Sequence, residues 1–207
     1  MSVLVIDLQC FPCVDYYLTL IKFAHCKLDI YERHQKLSFG NRFLIAGANG
    51  IIKLTVPLVG GRDQKCLFKD LKIDYTSGWR VQHLRAVCSA YRRAPYFEFF
   101  EDSFLDLFAT KTEWLMDWNL KCMHWLNAQV GASTQISLVD NPDQTVSLDE
   151  DLDLRRTFTP KYRPDSVVSY RQVFQERTGF QPNLSILDML FCIGPSGIWN
   201  AANRRED

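Results

Sequence analysis

Phe43-Leu44-Ile45-Ala46-Gly47-Ala48-Asn49-Gly50-Ile51-Ile52-Lys53-Leu54-Thr55-Val56 is the stretch that decides the fold. Two apolar runs, 43–45 and 51–56, flank a Gly-Ala-Asn-Gly tetrapeptide. Asn-Gly readily takes the positive φ angles that a tight hairpin needs. No helical pattern follows the glycines, so the segment is a structural turn rather than a phosphate-cradling loop. The reading is an antiparallel hairpin.

Other elements appear on both sides of it. Upstream, Val3-Leu4-Val5-Ile6 is short, apolar and β-branched, as a buried strand requires. Residues 9–13 read as a loop. Tyr17, Leu18, Leu20, Ile21 and Ala24 then recur at helical spacing within 14–24, and 28–31 reads as a second strand. Downstream, 71–74 is expected to be a strand and 79–94 a helix ended by Pro95. A longer helical pattern over 99–130 breaks near Thr110. Residues 134–139 are expected to be a strand, and 169–178 and 185–191 helices. Strands and helices intermix without any repeat. The expected class is therefore α/β: a single domain over 1–200, with a mixed sheet containing a β-hairpin, flanked by helices. The polar, acidic segment near 140–156, with Asp149-Glu150-Asp151-Leu152-Asp153, is expected to be a mobile surface loop. Residues 201–207 are expected to be a flexible charged tail.

Composition narrows the function classes. The 207 residues are 47% apolar and 13% aromatic, enough for a substantial core. Twenty-four basic and 24 acidic side chains balance to zero. That removes the global basic field of a nucleic-acid binder, although Arg80, Arg85, Arg92 and Arg93 could form a local basic patch. Seven cysteines without repeated spacing do not make a secreted disulfide framework. The first eight residues lack the pattern of a signal peptide, and no uncharged run is long enough to span a membrane. These features point to a cytoplasmic protein with no membrane span and no nucleic-acid partner.

Three motifs bear chemistry. Cys10-Phe11-Pro12-Cys13 is a C-x-x-C between a strand and a helix, the position of a redox pair in thioredoxin-like proteins. His34-Gln35-Lys36-Leu37-Ser38-Phe39-Gly40-Asn41-Arg42 concentrates an imidazole, amides, a hydroxyl and two cations. Strand alternation would put Lys36, Ser38, Gly40 and Arg42 on one side, where a carboxylate or phosphate could be held. Trp79, His83, Ala86 and Ala90 form a helical stripe distinct from the apolar face of Val81, Leu84, Val87, Cys88 and Tyr91. His83 could act as an acid or base near neutral pH. His25, His34, His83 and His124 lack partners at metal-ligand spacing, so no metal is expected.

Taken together, four blocks resemble the WbqC-like family in the form common among Bacteroidetes. Phe11, Val14, Tyr16 and Tyr17 match its opening block. Lys36, Ser38, Phe39, Asn41 and Arg42, with Ile45-Ala46-Gly47-Ala48-Asn49-Gly50, match the central one. Trp79, His83, Ser89-Ala90-Tyr91, Pro95, Phe97 and Glu98 match the third. Tyr170, Val173-Phe174, Gly179-Phe180, Pro182-Asn183-Leu184-Ser185-Ile186 and Asp188 match the last. Leu37 stands where a polar residue is common.

The resemblance implies a cytoplasmic bacterial protein of surface-polysaccharide metabolism. It also implies transfer of an aminoacyl or acyl group onto an amino sugar or similar amine. On that reading His83 or His34 is the base, Lys36 and Arg42 hold a small anionic or sugar-like substrate, and Asn41 orients it. Ser38, Trp79, Tyr16 and Tyr91 complete the binding set, with no cofactor. The competing expectations are a non-catalytic ligand-binding or protein-interaction domain and a C-x-x-C thiol redox protein. No oligomeric state follows from the residues.

Overall fold

The computed structural model describes residues 2–36, 38–61, 65–140, 151–164 and 167–204. Leu37, most of the acidic segment (141–150) and the last three residues lie outside that set.

Strand β1 (Val3–Asp7) is followed by helix α1 (Val14–Leu20) and strand β2 (His25–Asp29), which returns parallel to β1. The register pairs Val3 with His25 and Asp7 with Asp29, so both strands end level on adjacent carboxylates. β2 begins three residues earlier than its apolar pattern suggested, and α1 is correspondingly shorter. Pairing on both edges recruits His25, Cys26 and Lys27 into the strand, because β5 (Gln135–Leu138) lies parallel to β2 on its other side. The two-residue strand β6 (Leu152–Asp153) pairs parallel with β1, giving the order β5-β2-β1-β6. Leu4, Val5 and Ile6 are all buried, as expected for a parallel strand covered on both faces.

The hairpin forms as its sequence indicated. β3 (Arg42–Gly47) pairs antiparallel with β4 (Gly50–Thr55), and Gly50 takes φ 112°. Parallel and antiparallel pairing thus coexist, with the hairpin as a separate two-stranded sheet. Side chains and caps join it to the rest. Ser185 N–H donates to the Leu44 carbonyl, and Ala46 N–H to the Tyr91 hydroxyl.

Helices α2 (Trp79–Tyr91), α3 (Phe97–Ala109) and α4 (Leu115–Val130) follow, with the expected break at Thr110. Gly131 ends α4 in the left-handed conformation at φ 69°. Lys72 and Ile73 make only isolated bridges, to Trp114 and Leu58, where a strand was expected. The helix expected over 169–178 is confined to α5 (Gln175–Thr178).

The last helix, α6 (Ile186–Asn203), runs well past its expected end. Gly194 kinks it at φ 68°, and Pro195 then starts a second helical segment, where its missing N–H costs nothing. A side chain at Gly194 would meet the Tyr96 ring at 2.6 Å, so the kink also lets the helix pass that ring.

One core unites these elements. Leu4, Ile6, Tyr17, Phe43, Phe104, Trp118, Leu187 and Phe191 are all essentially inaccessible within it. Phe11, held at φ 42°, packs edge-on against Phe43, Trp118 and Trp125. No helix among the described residues is long and apolar enough to cross a membrane.

Candidate functional site

Open α/β sheets bind ligands beyond the carboxyl ends of their strands. At that edge the parallel sheet carries a cleft lined by Asp7, Gln9, Asp29, Glu32, Ser38 and Arg156, with Phe39, Phe68 and Phe158 as aromatic walls. Asp7 and Asp29 are neighbours in register, about 4.8 Å apart along the pairing direction. Asp29 is nearly buried. It accepts from the Tyr31 amide at 2.8 Å and from Arg155 Nη1 at 3.1 Å.

The strap after β6 closes one side. Arg156, at φ 63°, donates its backbone N–H to Asp7 Oδ1 and its Nε–H to Glu32 Oε1, both at 2.6 Å. Gln9 is only 2% exposed. Its Nε2 donates to the Phe158 carbonyl at 2.8 Å, which fixes the amide orientation and leaves Oε1 buried without a donor. Below the cleft the Tyr16 hydroxyl donates to the Asp7 carbonyl at 2.7 Å, and its ring packs edge-on against Phe158.

Burial dominates the electrostatics. It raises the Asp7 carboxyl to about 6, with the Glu32 charge adding to the rise and the Arg156 amide opposing it. Burial also raises Glu32, against the stabilising bond from Arg156. Asp7 is therefore a carboxyl whose proton affinity suits exchange near neutral pH.

Of the run 34–42, Gln35, Ser38, Phe39 and Gly40 line this cleft, from bends and turns rather than a strand, and Arg42 already opens β3. The expected one-sided array of Lys36, Ser38, Gly40 and Arg42 is therefore absent. The loop is held from outside: Phe39 O accepts from Cys10 N, Gly40 O from Asn119 Nδ2, and His34 N–H donates to Cys66 O. Ser38 lines the cleft and closes a turn through its bond to Gln35 O. Arg42 turns its guanidinium back onto the Lys36 carbonyl, with its Nε buried. His34 is half buried, and both burial and the Arg42 charge lower its pKa. Asn41 Nδ2 donates to Val56 O, pinning the loop to the hairpin.

The stripe on α2 faces inward. Trp79, His83, Val87, Ala90 and Tyr91 form the buried face, and Val81, expected in the core, is 52% exposed. His83 is 4% exposed, donates from Nε2 to Thr55 O at 3.2 Å, and contacts Phe43 and Trp79 edge-on. Burial lowers its pKa to about 4, so it is neutral at pH 7. The stripe packs against the hairpin through Phe43 and Thr55, and none of its residues lines the cleft described above. Tyr91 belongs to a third set, donating to Asp188 Oδ1 at 2.7 Å.

Cys10 and Cys13 are buried and not disulfide-bonded to each other, and burial with the Cys10 contact raises Cys122. Neither thiol of the C-x-x-C pair is open to exchange with a partner. Arg80 donates to the Phe108 carbonyl at the end of α3, while Arg85, Arg92 and Arg93 line a separate open groove. Among the described residues no group of three His, Cys, Asp or Glu side chains is placed to hold a metal ion.

Sequence reasoning missed Asp7, Gln9, Asp29, Glu32, Arg156 and Phe158. A signal was present for one of them: Asp7 directly follows the apolar stretch Val3-Leu4-Val5-Ile6, at the edge where open α/β sheets bind ligands.

The fold and cleft define a class, an α/β protein with an acidic cleft at the carboxyl edge of a parallel sheet. Residues 9–161 match the model of the WbqC-like protein family, and the chain belongs to that family. No curated protein and no solved structure matches it.

Proposed function

We propose that the protein transfers an aminoacyl or acyl group from an activated donor onto the amine of an amino sugar or similar acceptor, at the cleft beyond β1 and β2. The observation that carries this reading is the Asp7 carboxyl, seated in the cleft and raised to about 6. In the proposed step the acceptor nitrogen attacks the donor's carbonyl carbon. A C–N bond forms, and the bond from that carbon to the leaving group breaks with its electron pair on the leaving group. The proton released by the nitrogen goes to the Asp7 carboxylate. Ser38 and Thr159 offer hydroxyls to the acceptor, and Arg33 on the rim, with Lys36 and Arg42 in the same loop, supplies positive charge toward the donor. Asn41 is a positioning residue that holds the loop against the hairpin, and His83, backed by Trp79, holds the hairpin against α2.

The test is a transfer assay. The protein is incubated with glucosamine and a panel of acyl thioesters and aminoacyl esters, and mass spectrometry reads the N-acyl product. Product should form, with kcat/KM rising through about pH 6. Asp7→Asn should lose at least about 100-fold and the acid limb with it. No product across the panel, or unchanged turnover in Asp7→Asn, overturns the reading. A second reading is a module that holds the acceptor without reacting, favoured by the strap whose arginines neutralise Asp29 and Glu32.

A further inference from the structure

We infer that the protein associates with a second copy of itself across a twofold axis, the exposed face of α3 from each copy seating in the basic groove between α2 and the 169–176 segment of the other. No residue of either surface lines the cleft beyond β1 and β2, so this contact stands apart from the transfer reading.

One half of the contact is a ridge on α3. Glu98, Phe99, Asp102, Leu105 and Asp106 recur at three- and four-residue spacing, so they share one side of the helix, and all are exposed. Phe99 is 77% exposed, more than any other large apolar side chain among the described residues. The half-open Tyr96 ring lies beside it, centroids 6.2 Å apart, and Leu105 extends the strip. Single apolar residues on a surface are ordinary, whereas a contiguous patch rimmed by polar groups marks a contact. Glu98, Asp102 and Asp106 form that rim. None of the three has an ion-pair partner among the described residues.

The other half is the groove. Two troughs, of about 600 and about 1020 Å³, run into each other through Arg93, Val173 and Phe174. Ala90, Pro95, Val173 and Phe174 give them an apolar floor. Arg85, Arg92, Arg93 and Arg171 set the charge. Arg92 and Arg171 are joined to Glu101 and Glu176 by solvent-facing pairs, which are weak. Arg85 and Arg93 have no ion-pair partner among the described residues. On a chain whose total charge is zero, acid is thus concentrated on the ridge and base in the groove.

Ridge and groove are neighbours. Pro95 lines the groove and Tyr96 opens the ridge, while Arg92 Nη2 reaches Glu101 Oε1 at 3.2 Å and ties the end of α2 to α3. A twofold contact uses the same patch on both copies, so the patch must complement itself. An apolar ridge and an apolar groove of opposite charge, side by side, meet that condition. Opposed copies would cover Phe99 with Val173 and Phe174 and bring the ridge carboxylates to Arg85 and Arg93. An acidic peptide from another protein would fill the groove and leave Phe99 in water. A second copy satisfies both surfaces.

Sedimentation equilibrium of the full chain, in reductant so that Cys88 forms no disulfide, tests this. A monomer–dimer equilibrium with Kd in the micromolar range is expected, weakened about tenfold or more by raising NaCl from about 0.05 to about 0.5 M. Phe99→Ser, Arg93→Glu and Asp102→Arg, all at exposed positions that the fold tolerates, should each weaken it about tenfold or more. Mixing the Arg93→Glu and Asp102→Arg chains should restore association, because each ridge then meets a groove of opposite charge. Ile51→Ser, at the exposed edge of the hairpin, should change nothing. A monomer at every concentration, no recovery in the mixture, or loss in Ile51→Ser with none in Phe99→Ser overturns the contact. So does a chain that stays monomeric yet binds a synthetic acidic peptide carrying a phenylalanine, which would give the groove to another protein.

Discussion

Asp7, half-buried, and His83, buried, are titratable groups whose pKa values move in opposite directions, each toward its neutral form. Asp7 rises from 3.8 to about 6 on folding. Between those values the folded chain binds the extra proton, so this contribution to stability is present below about pH 4 and lost as pH rises through about 6. His83 falls from 6.5 to about 4. Here the unfolded chain binds the extra proton, so the contribution is present above about pH 6.5 and lost as pH falls through about 4. Across this window the two slopes oppose each other. Asp7→Asn removes the falling one. Its unfolding free energy, measured by urea titration at several pH values, should rise more steeply from pH 4 to 6.5 than that of the parent. A variant and parent with parallel profiles would show that Asp7 has an ordinary pKa. The sequence shows an aspartate at position 7 and a histidine at 83. It does not show which is desolvated at a cleft and which is sealed under Trp79.

At the scale of elements, Asp188 joins parts that are distant in sequence. It is fully buried on α6 and accepts from Tyr91 Oη, Tyr170 Oη and Gln172 Nε2 at 2.7–3.0 Å. Tyr91 in turn accepts from Ala46 N–H, so α2, the hairpin, α6 and the 170–172 segment share one network. Burial raises the Asp188 carboxyl, and the three donors oppose that rise. Asp188→Leu adds volume and leaves the Tyr91 and Tyr170 hydroxyls without their acceptor, while Gln172 Nε2 keeps the Gln181 carbonyl. It should cost about 3 kcal/mol or more, seen as a lower urea midpoint at pH 7. Asp188→Asn, which keeps one acceptor oxygen, should cost less. Elements with strong local signals were legible from sequence alone: the Asn49-Gly50 hairpin, the Thr110 break and the apolar core of β1. Elements that depend on partners were not. β2 extends to His25 only because strands pair on both its edges, and α6 continues past Gly194 only because Tyr96 and Pro195 make a kink, not a stop, the better solution.

At the scale of the whole molecule, the strap after β6 closes the carboxyl edge of the parallel sheet. Arg155 binds Asp153 through two nitrogens and Asp29 through a third. Asp29 keeps only 6% side-chain exposure in that pair. Arg155→Ala would leave this carboxylate without its charged donor and release the strap from β2. The expected loss is about 2 kcal/mol, a fall in Tm of roughly 4–8 °C for a chain of this size. Faster amide exchange at Leu154, whose N–H donates to the Val5 carbonyl, should accompany it. Unchanged exchange there would mean that β6 is held by its ladder alone. By itself the sequence determined the α/β class, the hairpin, the helical segments and the family, because periodicity, turn chemistry and motif blocks are local properties of the chain. Of the 34–42 run that it singled out, Gln35, Ser38, Phe39 and Gly40 line the cleft, while Lys36, Asn41 and Arg42 do not. The tertiary structure alone decided which face of that loop meets the cleft, that the Trp79–His83 stripe packs inward, and that Asp7, Gln9, Glu32 and Arg156 converge. Those outcomes depend on strand register and burial between residues up to about 150 positions apart, and no local pattern encodes them.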